Sequence, residues 1–185
     1  GSAALHHLAK RGVRVLGIER FQPGHDRGSS HGLTRIIRLG YFEHPSYVPL
    51  VRRAYALWRE LETESRETLL TVTGIAEIGL PDSVLVSGTL ASSRQHDLRH
   101  EVLDARALMQ RYPQFRVPSD FVGVIQPDAG FLEPEKAIRA HLALAEAAGA
   151  QIRTGEKVLA IEPRGDGVRV TTDRGTIEAG TAIIS

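Results

Sequence analysis

The chain has 185 residues, of which 42% are hydrophobic and 24% charged, and its formal net charge is +1. This is the composition of one globular domain or two small ones, and without a Lys/Arg-rich block it gives no electrostatic footprint for nucleic acid or an anionic membrane. The absence of cysteine excludes disulfides, thiolate metal sites and Cys nucleophiles within these residues and fits a cytoplasmic protein. No apolar run approaches the ~20 residues that span a bilayer, and no leader-like basic-then-apolar start is visible.

Gly1 to Arg11 reads as a helix, with Ala4, Leu5, Leu8 and Ala9 at helical spacing. Gly12 stops it. Val13, Val15, Leu16 and Ile18 follow as a short buried strand. A helix feeding a parallel-type strand normally has a strand before it, because a lone αβ pair cannot bury both faces. At the far end, Thr181 to Ser185 reads as another buried strand with no loop after it. The chain is therefore expected to be a segment of a longer protein, truncated at both ends.

Phe21 to Leu33 reads as a loop rich in Gly, Pro, His and Ser. Tyr47 to Glu64 is an amphipathic helix, with Val48, Val51, Tyr55, Trp58 and Leu61 on one face. Trp58 is expected in the core. Gly74 to Leu80 alternates as a strand, and Ser83 to Arg94 returns as a helix. Asp104 caps a short helix to Arg111, which Pro113 ends. Phe121 to Gln126 is a strand. Glu133 to Ala148 is a long helix with Pro134 in its first turn and Gly149 at its close. Short β segments follow at Gln151–Arg153 and Lys157–Pro163. Val168–Asp173 and Thr176–Glu178 form a hairpin around Arg174-Gly175. A small meander after a long helix is common in flavoproteins with two dinucleotide-binding segments, an argument by analogy of fold.

The mechanical clue to a ligand lies at the start. In a dinucleotide-binding βαβ unit the last glycine of G-x-G-x-x-G opens the helix, and an acid about 20 residues on accepts hydrogen bonds from the ribose. Gly1, followed by the small residues Ser2, Ala3 and Ala4, fits the first role. Glu19, at the end of the strand, fits the second. A helix N-terminus suits a pyrophosphate. The same features also occur in α/β proteins that bind no nucleotide, so on this evidence both readings stand.

Gly28-Ser29-Ser30-His31-Gly32-Leu33-Thr34-Arg35-Ile36-Ile37-Arg38 is the most unusual stretch. On a helix, Arg35 and Arg38 would share one face. A surface helix with solvated arginines is the plain alternative, but the run closely follows the ribose position, and Gly28 and Gly32 permit close backbone approach to a ligand.

This run, with Tyr41 and Tyr47-Val48-Pro49-Leu50 after it, resembles the monomeric sarcosine oxidase and N-methyltryptophan oxidase family of D-amino-acid-oxidase-like flavoproteins. The resemblance spans the chain and includes Leu8-Ala9-Lys10-Arg11-Gly12-Val13, Gln126-Pro127-Asp128-Ala129-Gly130-Phe131-Leu132 and Ile183-Ile184-Ser185. It implies an α/β fold: a Rossmann-like FAD-binding domain from residues 1–40 and 149–185, with residues 41–148 as an inserted α+β portion of the substrate domain.

The activity implied is oxidation of a secondary amino acid, N-methyl or cyclic, to an imine, with FAD as cofactor and O2 reduced to H2O2. The implied protein is a monomer without nucleic-acid or membrane partners. By the resemblance, Gly1 is a phosphate-loop glycine and Glu19 the ribose acid. Arg20, Ser29, Ser30, Thr34 and Ser185 lie along the cofactor, and Val158 meets the adenine through its backbone. His31 and Arg35 sit near the flavin ring, and Arg38 holds the substrate carboxylate. Such roles suit these residue types, because a fixed guanidinium stabilises developing negative charge and forks onto carboxylates.

The sequence departs from the family in two ways. The family's cysteine for covalent flavin attachment and its oxygen-activating lysine fall beyond Ser185. Phe42-Glu43-His44-Pro45-Ser46 also differs from the Gly-Glu-Gly type of the sarcosine enzymes, which puts sarcosine itself in doubt. A dehydrogenase that passes electrons to a carrier, and an inactive fragment lacking a complete FAD site, remain open. No metal site is expected. His6 and His7 are expected to be solvent-exposed, His25, His44, His96, His100 and His141 show no ligand spacing, and Asp128 is assigned to a turn.

Overall fold

The computed structural model describes residues 1–185 and divides them into two compact units. The first contains 1–33, 63–67 and 133–185; the second contains 34–62 and 68–132. These boundaries differ from the functional division drawn at 40/41 and 148/149. The long helix 134–147 belongs to the first unit because it packs on the opening helix.

In the first unit, α1 (Ser2–Lys10) precedes β1 (Leu16–Glu19). Leu5, Ala9, Ala145 and Ala150 form the core, flanked by Val15, Leu142 and Ile152. This core joins α1 to the 134–147 helix. A Cβ on Gly17 would meet Leu5 Cδ2 at 3.1 Å, so the missing side chain lets strand and helix approach closely. The expected strand begins later and is shallower than the apolar pattern suggested. Val13 is 48% exposed and all of β1 is half-buried.

The second unit opens with a correction. Residues Arg35–Ile37 form β2, a strand. Side chains on a strand alternate, so the helical face shared by Arg35 and Arg38 does not exist. Ile37 points into the core while Ile36 is 62% exposed. Next comes α2 (Tyr47–Ser65), whose apolar face is as expected: Val51, Tyr55 and Trp58 pack against buried Ile37, Leu70 and Leu132. Residues 63–65, its last turn, belong with the first unit. Glu62 turns the chain after α2, accepting the Leu69 and Leu70 amides at 2.7 and 2.8 Å.

The remaining elements of this unit are β3 (Leu70–Val72), β4 (Ile75–Gly79), α3 (Val84–Gln95), β5 (Glu101–Asp104), α4 (Ala105–Arg111), β6 (Val122–Gln126) and β7 (Gly130–Leu132). Ser83 caps α3 and Asp104 caps α4. The strands form two antiparallel three-stranded sheets, β2-β7-β3 and β4-β6-β5. Strands β3, β5 and β7, three or four residues long, are too short to carry a sequence periodicity of their own. Gly130 is obligatory in the first sheet, since a Cβ there would lie 2.0 Å from the Thr71 carbonyl oxygen.

The chain then returns to the first unit through α5 (Pro134–Ala147), whose first turn carries Pro134, and Gly149 follows with φ of 89°. Next is β8 (Gln151–Thr154), which pairs in parallel with β1, Leu16 opposite Gln151 and Glu19 opposite Thr154. Finally β9 (Val158–Arg164), β10 (Gly167–Thr172) and β11 (Gly175–Ala179) form an antiparallel meander in the order β11-β10-β9. Residues 181–185 adopt no strand, and Ile183 and Ile184 are exposed, contrary to expectation.

His6 also departs from expectation: it is buried, its Nδ1 lying 3.1 Å from Nδ1 of buried His141 on α5. Its Nε2 lies 3.5 Å from Glu64, which also takes Lys10. Burial, then His7, lowers the pKa of His6. Burial first, and then His6, His7 and the amino terminus, push His141 down to about 4, against the opposing pull of Glu64.

Candidate functional site

Two groups of predicted residues can be followed, one in each unit. In the first, Gly1 stands at the N-cap of α1, where no side chain caps the helix and no acid occupies the first turn. The opening amides therefore have no side-chain acceptor of their own. A Cβ on Gly1 would sit 3.1 Å from Ser185 Oγ, so the structure brings these two predicted residues together.

Glu19 is fixed at the end of β1. Its Oε1 accepts the Phe21 amide at 2.8 Å and lies 3.5 Å from His25 Nε2. Its backbone carbonyl accepts the Glu156 amide at 3.1 Å. Glu156 is itself buried and accepts Thr172 Oγ1 at 2.7 Å. The meander therefore braces the acid that ends β1. Arg20 lies over the Phe21 ring, 5.0 Å from its centroid. Val158 opens β9, an edge strand of its sheet, so one side of its backbone faces away from β10.

The loop bearing Ser29, Ser30 and His31 is tied to α5: the Gly32 amide donates to Glu135 Oε1 at 3.0 Å. His31 Nδ1 lies 3.3 Å from the Gly28 carbonyl oxygen, and all three residues are exposed.

The second group is built around Arg38. Thr34 and Arg35 are exposed, and Arg35 donates to the Thr34 carbonyl at 2.9 Å. Arg38 is different, its side chain only 15% exposed. The Arg38 Nε atom lies 3.0 Å from Glu77 Oε1, an ion-pair contact off the line of a hydrogen bond. The guanidinium carbon stands 4.5 Å from the Tyr41 ring centroid and 5.5 Å from that of Phe42. Rings at this range attract a cation. Nη2 is 3.8 Å from Glu43.

Glu77, on β4, is 6% exposed. Its Oε2 accepts Thr89 Oγ1 at 3.0 Å and Gln126 Nε2 at 2.6 Å. Burial raises its pKa, while Arg38, Thr89 and Gln126 pull the other way. Gln126 also brackets Gly40, accepting its amide at 2.8 Å and donating to its carbonyl at 3.3 Å. Nearby, Ser92 donates to the Tyr41 carbonyl at 2.5 Å. A Cβ on Gly88 would lie 2.2 Å from the Phe42 carbonyl oxygen. Helix α3 thus holds the 41–42 backbone directly.

The sequence reading missed Glu77, Thr89 and Gln126. One signal was present: a carboxylate in the apolar run Ile75-Ala76-Glu77-Ile78, which demands a buried partner. Asp128 does more than turn the chain, because it pairs with Arg99 and its carbonyl accepts Tyr55 Oη at 2.7 Å.

All 185 residues match the family model described as FAD dependent oxidoreductase. A monomeric sarcosine oxidase of Streptomyces avermitilis is 46% identical over 184 residues, covering 100% of this chain and 48% of that protein. An N-methyl-L-tryptophan oxidase of Salmonella newport is 40% identical over 185 residues, covering 100% of this chain and 50% of the relative. The chain thus spans about half the length of these curated relatives. Among solved structures, NikD, an unusual amino acid oxidase essential for nikkomycin biosynthesis, superposes with a TM-score of 0.89 at 36% identity, covering 97% of this chain and 46% of that one. L-proline dehydrogenase from P. horikoshii shares the fold, with a TM-score of 0.80 at 22% identity over 98% of this chain and 49% of its own.

Proposed function

Since the chain belongs to the FAD-dependent oxidoreductase family, with the α/β fold of the amino acid oxidases, we propose that the protein carrying it oxidises a secondary amino acid, N-methyl or cyclic, to an imine. The observation that carries the substrate class is Arg38, a guanidinium largely withdrawn from water and fixed by Glu77, Tyr41 and Phe42. Such a cation binds a carboxylate with a geometry that a solvated arginine lacks.

FAD is assigned to residues of the first unit, with Thr34 and Arg35 of the second added from the family resemblance alone. The uncapped start of α1 with Gly1 and Ser185 would take the pyrophosphate, and the braced carboxylate of Glu19 would take the ribose. Arg20, Ser29, Ser30 and Thr34 would contact the cofactor along its length, and Val158 the adenine. His31 and Arg35 would serve the flavin ring. When bound, FAD would supply two-electron oxidation of the amine and, on reoxidation by O2, release of H2O2. Arg38 orients the substrate by its carboxylate, and Arg35 supplies positive charge where negative charge develops. We assign residues 1–40 and 149–185 to an FAD-binding portion, which also supplies Arg38, and 41–148 to part of the substrate domain, in a monomeric cytoplasmic protein. No helix is long and apolar enough to cross a membrane.

A panel of N-methyl and cyclic amino acids, mixed anaerobically with the FAD-loaded protein, tests the reading. At least one is expected to bleach the flavin, and air should restore the colour with release of peroxide. A flavin that stays oxidised with every member would refute the substrate class. Bleaching reversed by a quinone or dye acceptor, but not by O2, would replace oxidase with dehydrogenase.

A further inference from the structure

The two oxygens of the Glu77 carboxylate have different tasks. Oε2 is occupied by Thr89 and Gln126. Oε1 faces Arg38 Nε. A buried carboxylate held by two donors has little freedom to rotate, so the position of Oε1 is set by α3 and β6. Gln126 reinforces this, because the same side chain grips both backbone polar groups of Gly40, two residues beyond Arg38. A Cβ on Gly40 would stand 2.8 Å from Gln126 Oε1, so only glycine allows this grip. The Tyr41 and Phe42 rings limit the guanidinium on other sides.

We propose that Glu77 is a positioning residue: it holds Arg38 by the Nε side and so presents the Nη groups to the carboxylate of the substrate. Glu43, half-exposed, lies 3.8 Å from Nη2. A free arginine would sample many rotamers and would have to lose them on binding. Anchoring on Glu77 meets that ordering cost during folding instead. A purely structural buried ion pair would use the same contacts, but it would leave carboxylate affinity indifferent to Glu77 once the protein is folded. The inference rests on the carboxylate-binding role of Arg38 given above.

The test is a double-mutant cycle in the FAD-loaded full-length protein. Its readout is the dissociation constant of propionate, a carboxylate with no oxidisable amine, measured by calorimetry. Glu77→Gln keeps the size of the side chain and a carbonyl acceptor but removes the charge. It is expected to weaken propionate by about tenfold in the Arg38 background and by less than twofold when Arg38 is already alanine. Equal losses in both backgrounds, or no loss in the Arg38 background, would overturn the positioning role. If Glu77→Gln does not fold, Thr89→Val removes one donor to Oε2 with little change of shape and is expected to weaken propionate several-fold. Unchanged affinity there would equally overturn it. Arg38→Ala alone separates the two claims. If it leaves propionate binding intact, the substrate reading of Arg38 fails; if it weakens binding while Glu77→Gln does not, only the positioning of Arg38 by Glu77 fails.

Discussion

Replacing His141 with asparagine should remove a pH dependence of stability that the wild-type chain carries. His141, on the face of α5 that meets His6 of α1, is buried at 8% exposure, and burial together with His6 and His7 holds its pKa down to about 4. In the unfolded chain it returns to the ordinary value of 6.5. Between these values the unfolded state binds the extra proton, so stability falls as pH falls from 6.5 towards 4. Above 6.5 the term is constant. Linkage gives a loss of about 2 kcal/mol between pH 7.5 and pH 5. Asparagine places a polar atom near the former Nδ1 and keeps a partner for His6, but it does not titrate.

Urea unfolding at pH 7.5 and 5, followed by circular dichroism, gives both free energies. The wild type should lose about 2 kcal/mol more than His141→Asn over this interval. His6, also depressed, contributes to both proteins in the same direction. Parallel losses in the two proteins would refute the assignment of the proton to His141. An NMR titration that placed its folded pKa near 6.5 would do the same.

Further outcomes follow from single contacts. Glu62→Ala leaves the amides of buried Leu69 and Leu70 without their acceptor and should cost about 2–4 kcal/mol in urea unfolding. The Leu70 and Leu69 amides and Arg59, against the opposing effect of burial, keep the Glu62 carboxyl below its ordinary 4.5. The stability it contributes is therefore present above that pH and is lost as pH falls below it, and a wild-type acid limb indistinguishable from that of Glu62→Ala would count against this. Gly88→Ala drives a methyl into the Phe42 carbonyl, so it should lower the urea midpoint by an amount equivalent to about 1–3 kcal/mol. It should also loosen propionate binding by shifting the ring that lines Arg38. A fully stable Gly88→Ala protein would show that α3 does not hold the 41–42 backbone.

Elements whose cause is local were legible in the sequence. The face of α2, the Asp104 cap and the Pro134 and Gly149 limits of α5 depend on residues within a turn or two of one another. The strand β2 was misread because its three residues carry no periodicity, and it is a strand only through pairing with β7, far along the chain. The burial of His6 had the same kind of cause, since its partner sits on α5. In the candidate site, Gly1 and Glu19 were visible by type and spacing, and Arg38 through the family resemblance of its run. What fixes them was not: Glu156 and Thr172 behind Glu19, and Glu77, Thr89 and Gln126 behind Arg38, are joined only by tertiary folding.

Oxidation of the proposed substrate requires FAD to sit on the first unit, with Glu19 accepting the ribose hydroxyls. The most direct measurement is the FAD dissociation constant of the full-length protein and of its Glu19→Ala variant, each produced flavin-free in riboflavin-starved cells, by fluorescence quenching on mixing with FAD. Loss of a charged hydrogen bond of this kind should weaken FAD by about tenfold or more. Tight FAD binding that is the same in both proteins would contradict the assignment of Glu19, and a full-length protein that binds no FAD would contradict flavin-dependent oxidation altogether.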